Sequence, residues 1–245
     1  MDIGGYCIMS HPILVIGPSG TGKSTSVENL NHKETFIIKT TDKPMPFRGS
    51  NAKYKEVSED NPKGNMYVLR RDDPVSRYGE LNACIKKINE NRDDIKTIVI
   101  DDFQYLMVDE YMSKSQEKGF DKFAIMATNM WKTLDRISRC RQDLTIIVIS
   151  HNDVGEDGIS TMQSMGKMLR NTVKPEGKFT VILHTYLHDG QYQFLTQYRT
   201  IGGKDLQAKS PKGMFDEDFI PNDLGYVINK MNEYYNEEFK DDIKM

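Results

Sequence analysis

Residues Gly17–Thr25 read GPSGTGKST and fit the pattern G-x-x-x-x-G-K-[ST] in full. Gly17, Gly20 and Gly22, with Pro18, Ser19 and Thr21 between them, let the chain bend so that successive backbone N–H groups face a bound anion. The Lys23 ammonium would reach the β- and γ-oxygens of a triphosphate. The Ser24 hydroxyl, followed by Thr25, would ligate Mg²⁺. A second constellation closes the apolar run Thr97-Ile98-Val99-Ile100, which ends on two adjacent carboxylates, Asp101 and Asp102. Asp101 is placed to hold the Mg²⁺ hydration shell beside Ser24. Asp102 is the first candidate to orient or deprotonate a water, with Asp42 as the alternative. Both are one methylene shorter than Glu, a reach that suits slow turnover. A third run, Leu144–Ile149, ends in Ser150-His151, polar groups that could touch a γ-phosphate or its water and report which nucleotide is bound.

These groups work only if strands bring them to one edge. Ile13–Ile16 reads as a strand ahead of the glycine turn, and a polar helical stretch follows to about Leu30. Glu34–Thr40 is a second strand, Thr41–Lys55 a proline-broken loop and Asn65–Arg70 a short extra strand. Tyr78, Leu81, Ile85 and Ile88 give Pro74–Asn91 the spacing of an amphipathic helix. The run to Asp101 has the apolar character of a central parallel strand. A long helix follows over about Asp121–Cys140, with Phe123, Met126, Met130, Trp131, Leu134 and Ile137 near one face. Met162–Asn171 reads as another helix, and Phe179–His188 and Gln191–Tyr198 flank Asp189-Gly190, a two-residue hairpin signal. After Gly202-Gly203 comes an irregular Lys-rich stretch, Lys204–Phe215, and then a terminal helix over Asn222–Glu238. The expected fold is α/β: a mostly parallel sheet sandwiched by helices, with a late antiparallel hairpin and a C-terminal helix. The Ser150 strand should lie between the Gly17 and Asp101 strands.

Composition narrows the partners. The 245 residues hold 33 Lys+Arg against 36 Asp+Glu, a net charge of −3, so no global basic field draws the molecule to a polyanion and any such contact must be local. No apolar run reaches the ~18 residues of a membrane span, and the start lacks a signal-peptide pattern, so a cytoplasmic protein without membrane contact is expected. Cys7, Cys84 and Cys140 show no C-x-x-C spacing and suit a reducing cytosol. His184 and His188 fall on a strand and read as satisfied strand residues rather than a metal pair. No N-K-x-D guanine reader occurs, the nearest being Asn229-Lys230-Met231-Asn232, which favours ATP over GTP. Two basic segments could bind phosphates with aromatic stacking: Lys43–Lys55, with Phe47, Arg48, Lys53 and Tyr54, and Lys167–Lys178, with Lys167, Arg170, Lys174 and Lys178.

Together GPSGTGKST, IVIDD, the ISH strand ending, the Asp189-Gly190 hairpin and the late stretch AKSPKGMF resemble bacteriophage ATP-binding proteins of the RecA-like class. The better studied members are single-strand annealing proteins of phage recombination, and the likeness runs from about residue 10 to 230. The resemblance implies a RecA-like P-loop ATPase core over residues 1–215, a C-terminal helix and acidic tail over 216–245, and ATP and Mg²⁺ as cofactors. It also implies a homo-oligomer, assembled head to tail with nucleotide at the subunit boundary, in which a neighbour's basic side chain completes the site. Lys209 is the candidate for that charge and Lys212 the alternative. Single-stranded DNA is the implied partner, held by Lys167, Arg170, Lys174 and Lys178, with a phage or host single-stranded-DNA-binding protein as a further partner. Strand annealing or pairing in a bacterial host would be the activity. The alternatives are a nucleotide-gated loader for a replication protein and a small-molecule phosphotransferase.

Overall fold

The computed structural model describes residues 10–70, 77–119, 121–163 and 174–236. Three strands are buried along their whole length: β1 (Ile13–Gly17), β2 (Thr35–Lys39) and β4 (Thr97–Asp101). Their apolar runs have no polar face because both faces are covered. Alternate side chains then divide between two cores. Leu14, Ile16, Ile98 and Ile100 pack with the helices α2 (Arg77–Asn91), α3 (Gln104–Ser113) and α4 (Asp121–Ser138). Ile13, Val15 and Val99 pack with Val27, Leu30 and the terminal helix α5 (Leu224–Asn236).

A short helix α1 (Ser50–Lys53) precedes the others, and the remaining strands are β3 (Met66–Val68), β5 (Thr145–Val154), β6 (Ile159–Met162), β7 (Val181–His188), β8 (Gln191–Leu195), β9 (Arg199–Ile201), β10 (Lys204–Leu206) and β11 (Phe219–Pro221). The main sheet runs β11-β8-β7-β1-β5-β4-β2-β3. From β3 to β7 every pairing is parallel, while β8 and β11 add antiparallel at one edge. As expected from the sequence, β5 lies between β1 and β4. The β7–β8 turn is the anticipated hairpin: Asp189 at φ 48° and Gly190 at φ 76° supply the two left-handed residues of a type I′ turn.

Several expectations are corrected. The helix after the glycine turn is a single 3₁₀ turn, Thr25–Val27, so the backbone N–H groups of the loop itself, rather than a helix dipole, must supply most of the positive field. Strand β5 does not stop at Ser150-His151 but continues to Val154, where its last residues pair with β6 in a small second sheet. Met162 therefore belongs to a strand, and residues 164–171 of the expected helix lie outside the described residues. Lys204–Leu206 is not irregular: Gly202 and Gly203, at φ 59° and 73°, turn β9 back into β10. Trp131 is 41% exposed and lies off the buried face of α4. Helix α3 has no counterpart in the sequence expectations because its apolar residues alternate with polar ones that are themselves buried, Gln104 and Glu110, and leave no clean stripe.

Candidate nucleotide site

The loop leaving β1 is shaped by close approach. A Cβ on Gly17, at φ 154°, would lie 2.0 Å from Oγ1 of Thr185 on β7, so only glycine fits. Thr185 in turn donates to the Ile16 carbonyl at 3.3 Å, and its hydroxyl lies 2.5 Å from that of Thr21, which donates to the Pro18 carbonyl. The far side of the loop is held the same way. Gly22 has φ 92°, and a Cβ there would meet the Tyr192 ring at 2.8 Å and Asn222 Oδ1 at 2.9 Å. Between these supports Lys23 is buried, its ammonium donating to the carbonyls of Gly17 at 2.9 Å and Pro18 at 2.6 Å.

Opposite the loop, β4 delivers its carboxylates. Ser24 Oγ donates to Asp101 Oδ1 at 2.8 Å, which brings the glycine loop and the acid-ended strand together. Asp102 occupies the left-handed region at φ 61°. Its carbonyl accepts from Thr40 Oγ1 at 2.7 Å, its Oδ1 accepts from Gln104 Nε2 at 3.1 Å, and Lys43 Nζ stands 3.8 Å from its Oδ2. Gln104 also accepts, through Oε1, the backbone N–H of His151, whose Nε2 is 3.6 Å from Asp102 Oδ1. One carboxamide thus ties the second carboxylate to the middle of β5. The backbone of Thr40 is fixed from behind by fully buried Arg77, which donates to the Thr40 carbonyl and pairs with Asp109.

These groups enclose a cavity of about 410 Å³, lined on the loop side by Ser19, Gly20 and Gly22–Thr25 and on the other by Lys43, Asp101, Asp102, His151 and Tyr192. Its charges are poorly solvated. Burial pulls Lys23 down to about 8 against the attraction of Asp102 and Asp101. Burial, reinforced by the neighbouring Asp102 charge, pushes Asp101 up to about 6 despite its bond from Ser24. Burial, with Lys23 nearby, also lowers His151, which leaves its imidazole neutral at pH 7. A divalent cation against Asp101 and an oxyanion against Lys23 would each supply a counter-charge that the protein withholds. The residues therefore fit Mg²⁺, held by Ser24 and Asp101, with a triphosphate along the loop.

Other candidates fall elsewhere. Ser150 is fully buried and donates to the His151 carbonyl; it does not line the cavity. Asp42 is exposed and does not line it either. Lys209 bridges to Ile182 through its backbone, and its ammonium donates to the Glu176 carbonyl of its own chain at 3.2 Å, while Lys212 is exposed. Lys167 and Arg170 lie outside the described residues. Lys174 is exposed, whereas Lys178 is engaged, 3.1 Å from Asp135 and 4.4 Å over the Trp131 ring. In the Lys43–Lys55 segment Phe47 and Tyr54 are core residues, packed edge to face, which removes them as stacking platforms. His184 bonds Ser160 and the Thr185 carbonyl, the satisfied strand histidine expected. Sequence reasoning missed Thr40, Gln104, Thr185, Tyr192 and Asn222. Gln104, two residues after Asp102, had a positional signal; the others come to the site only through the sheet.

A glycine loop after β1, a carboxylate at the end of β4, and one strand between them define a P-loop NTPase. The AAA domain family matches residues 10–188, most of the chain and all of the groups lining the cavity except Tyr192. The chain belongs to that family. None of the curated proteins compared with it is significantly similar in sequence. Among the described residues, no helix is long and apolar enough to cross a membrane.

Proposed function

We propose that the chain hydrolyses ATP in the presence of Mg²⁺ and couples the nucleotide state to single-stranded DNA, as in phage-type strand annealing or pairing. The observation that carries the hydrolytic reading is the division of labour between adjacent acids. Asp101 faces Ser24 at 2.8 Å, while Asp102 is turned by its left-handed backbone toward Gln104 and Lys43. Mg²⁺, when bound, would draw charge off the β- and γ-phosphate oxygens. The Lys23 ammonium would exchange the Gly17 and Pro18 carbonyls for phosphate oxygens, and Lys43 would add a second cation at the same mouth. Asp102 would accept a hydrogen bond from the attacking water, with Gln104 holding Oδ1 in place.

The coupling reading rests on β5. The nucleotide-facing His151 lies on the strand whose end pairs with β6, and Lys167 and Arg170 follow β6 in sequence. The resemblance to RecA-like annealing proteins supports single-stranded DNA as the ligand there, although Lys178 is already paired. The test is ATP turnover with and without single-stranded DNA at two salt concentrations. Stimulation that weakens with salt is expected. Turnover indifferent to DNA removes the coupling and leaves the ATPase standing, in favour of a loader that acts on another protein. Phosphate transfer to an added small acceptor instead of water would overturn both.

A further inference from the structure

A second cavity, about 650 Å³, adjoins the phosphate cavity and shares Thr25 and Tyr192 with it. It lies beyond the loop, between the 3₁₀ turn and the segment where β11 leads into α5, and nothing in the hydrolytic reading uses it. Two features there are unexplained by packing. Tyr192 is 44% exposed, yet its ring is pressed against the loop backbone at Gly22, where a Cβ would lie 2.8 Å from Cγ. Asn222 has both carboxamide atoms, Oδ1 and Nδ2, shielded from solvent and without a hydrogen-bond partner.

The neighbouring residue shows why that amide is unused. Asp223 performs the capping of α5, accepting the N–H of Gly225 at 2.8 Å and of Tyr226 at 3.2 Å, while its other oxygen takes Asn29 Nδ2 at 2.8 Å. Asn222 is therefore free of any duty at the helix start, and its Oδ1 would stand 2.9 Å from a Cβ on Gly22. A buried donor and acceptor left unmade are costly, and native proteins keep them where a ligand or water completes them.

We propose that Tyr192 and Asn222 form the base subsite, Tyr192 offering a face for stacking and Asn222 reading the edge of an adenine. A carboxamide presents one donor and one acceptor. Adenine's N6 amino group and N7 answer both, whereas guanine offers two acceptors, O6 and N7, on that edge and leaves the Asn oxygen unpaired. This assigns the nucleotide preference to a residue of the β11–α5 junction, outside the stretch matched by the AAA domain family. It rests on the reading of Gly17–Thr25 as a triphosphate loop, so the test separates the two.

Titration calorimetry on the full chain would use three probes: ATP, GTP and inorganic tripolyphosphate, the last having no base. In the wild type ATP should bind at least about tenfold tighter than GTP, the discrimination expected when a buried polar group is left unpaired by the wrong base. Asn222→Ala should weaken ATP about tenfold, abolish the preference over GTP and leave tripolyphosphate unchanged. Tyr192→Ala should weaken ATP and GTP alike, by about tenfold, the scale of one base–aromatic stack, and Tyr192→Phe should restore both. Unchanged ATP affinity in Asn222→Ala and Tyr192→Ala overturns the subsite. So does a parallel loss of tripolyphosphate, which would mean that these side chains only prop the loop. Failure of the wild type to bind either ATP or tripolyphosphate would instead remove the triphosphate reading.

Discussion

A cavity wider than the phosphate site lies away from the reactive groups. It measures about 820 Å³ and opens at the amino ends of the strands, beside Thr35, Thr97 and Thr145, under α5. Asparagines and a glutamine line it, among them Asn31, Asn229, Asn232 and Gln142, and the ion pair Lys96–Asp143 at 2.7 Å, whose carboxylate also takes Arg141 at 2.9 Å, is about half exposed. The cavity at the carboxyl ends has half that volume, but it holds an ammonium pulled down to about 8 and a carboxylate pushed up to about 6. Space is therefore a poor guide here, and strained charge a better one. The wide cleft keeps polar amides and a solvated ion pair that need nothing further. The smaller one keeps charges whose solvation has been removed and not replaced.

The contrast can be broken most directly by paired substitutions. Lys23→Ala should lower ATP turnover by about 100-fold or more, the scale of losing a preorganised charge at a transferring phosphate. Asn232→Ala in the wide cleft should leave it within about twofold, a change too small to signify lost transition-state contact. Equal effects in a steady-state phosphate-release assay would erase the distinction.

A pH profile sharpens it. The free protein's kcat/KM should be bell-shaped, with limbs near 6 and 8, since Asp101 must be ionised to hold a cation and Lys23 protonated to hold phosphate. On each limb the fall should approach about tenfold per pH unit. The same shifts bear on folding. Asp101 binds its proton more tightly when folded, so its stabilisation is full below its unfolded value near 4 and lost as pH rises through about 6. Lys23 binds its proton less tightly, so its contribution is full above about 10.4 and lost as pH falls through about 8. Between 6 and 8 both groups burden the free protein, and Mg²⁺ with ATP should raise its melting temperature. A pH-independent profile between 5 and 9 would contradict both shifts.

A smaller loss than that at Lys23 is expected at Gln104→Leu, which removes the tie between Asp102 and the His151 backbone while keeping the side-chain volume. Turnover should fall about tenfold with little change in KM, because the lost bond holds the carboxylate proposed to act only on the water. A rise in KM with turnover intact would place Gln104 in binding instead.

Much of this site was legible from residue order. GPSGTGKST and IVIDD announced the loop and the acid, and β5 takes the place between their strands that was expected for the Ser150 strand. The Asp189-Gly190 turn was equally plain, since few dipeptides accept two left-handed residues. What escaped depended on contacts between distant segments. Thr185 lies against Gly17, and Tyr192 and Asn222 against Gly22, because β7, β8 and β11 extend the sheet beyond β1. No local period encodes that neighbourhood. Phe47 and Tyr54 misled for the opposite reason: among lysines they look like surface platforms, and only the packed structure shows them in the core. Gly202-Gly203 carried a usable hairpin signal that the surrounding lysines obscured.

The backbone of Asp102 limits how the chemistry at this position can change. Few side chains enter its left-handed region at low cost; Asp and Asn are the ones enriched there after glycine. Replacement by Glu would add reach but forfeit that conformational tolerance, pulling the acid away from Gln104 and Thr40 as the chain relaxed. A longer acid at this level would have to come from a different strand end rather than from residue 102 itself.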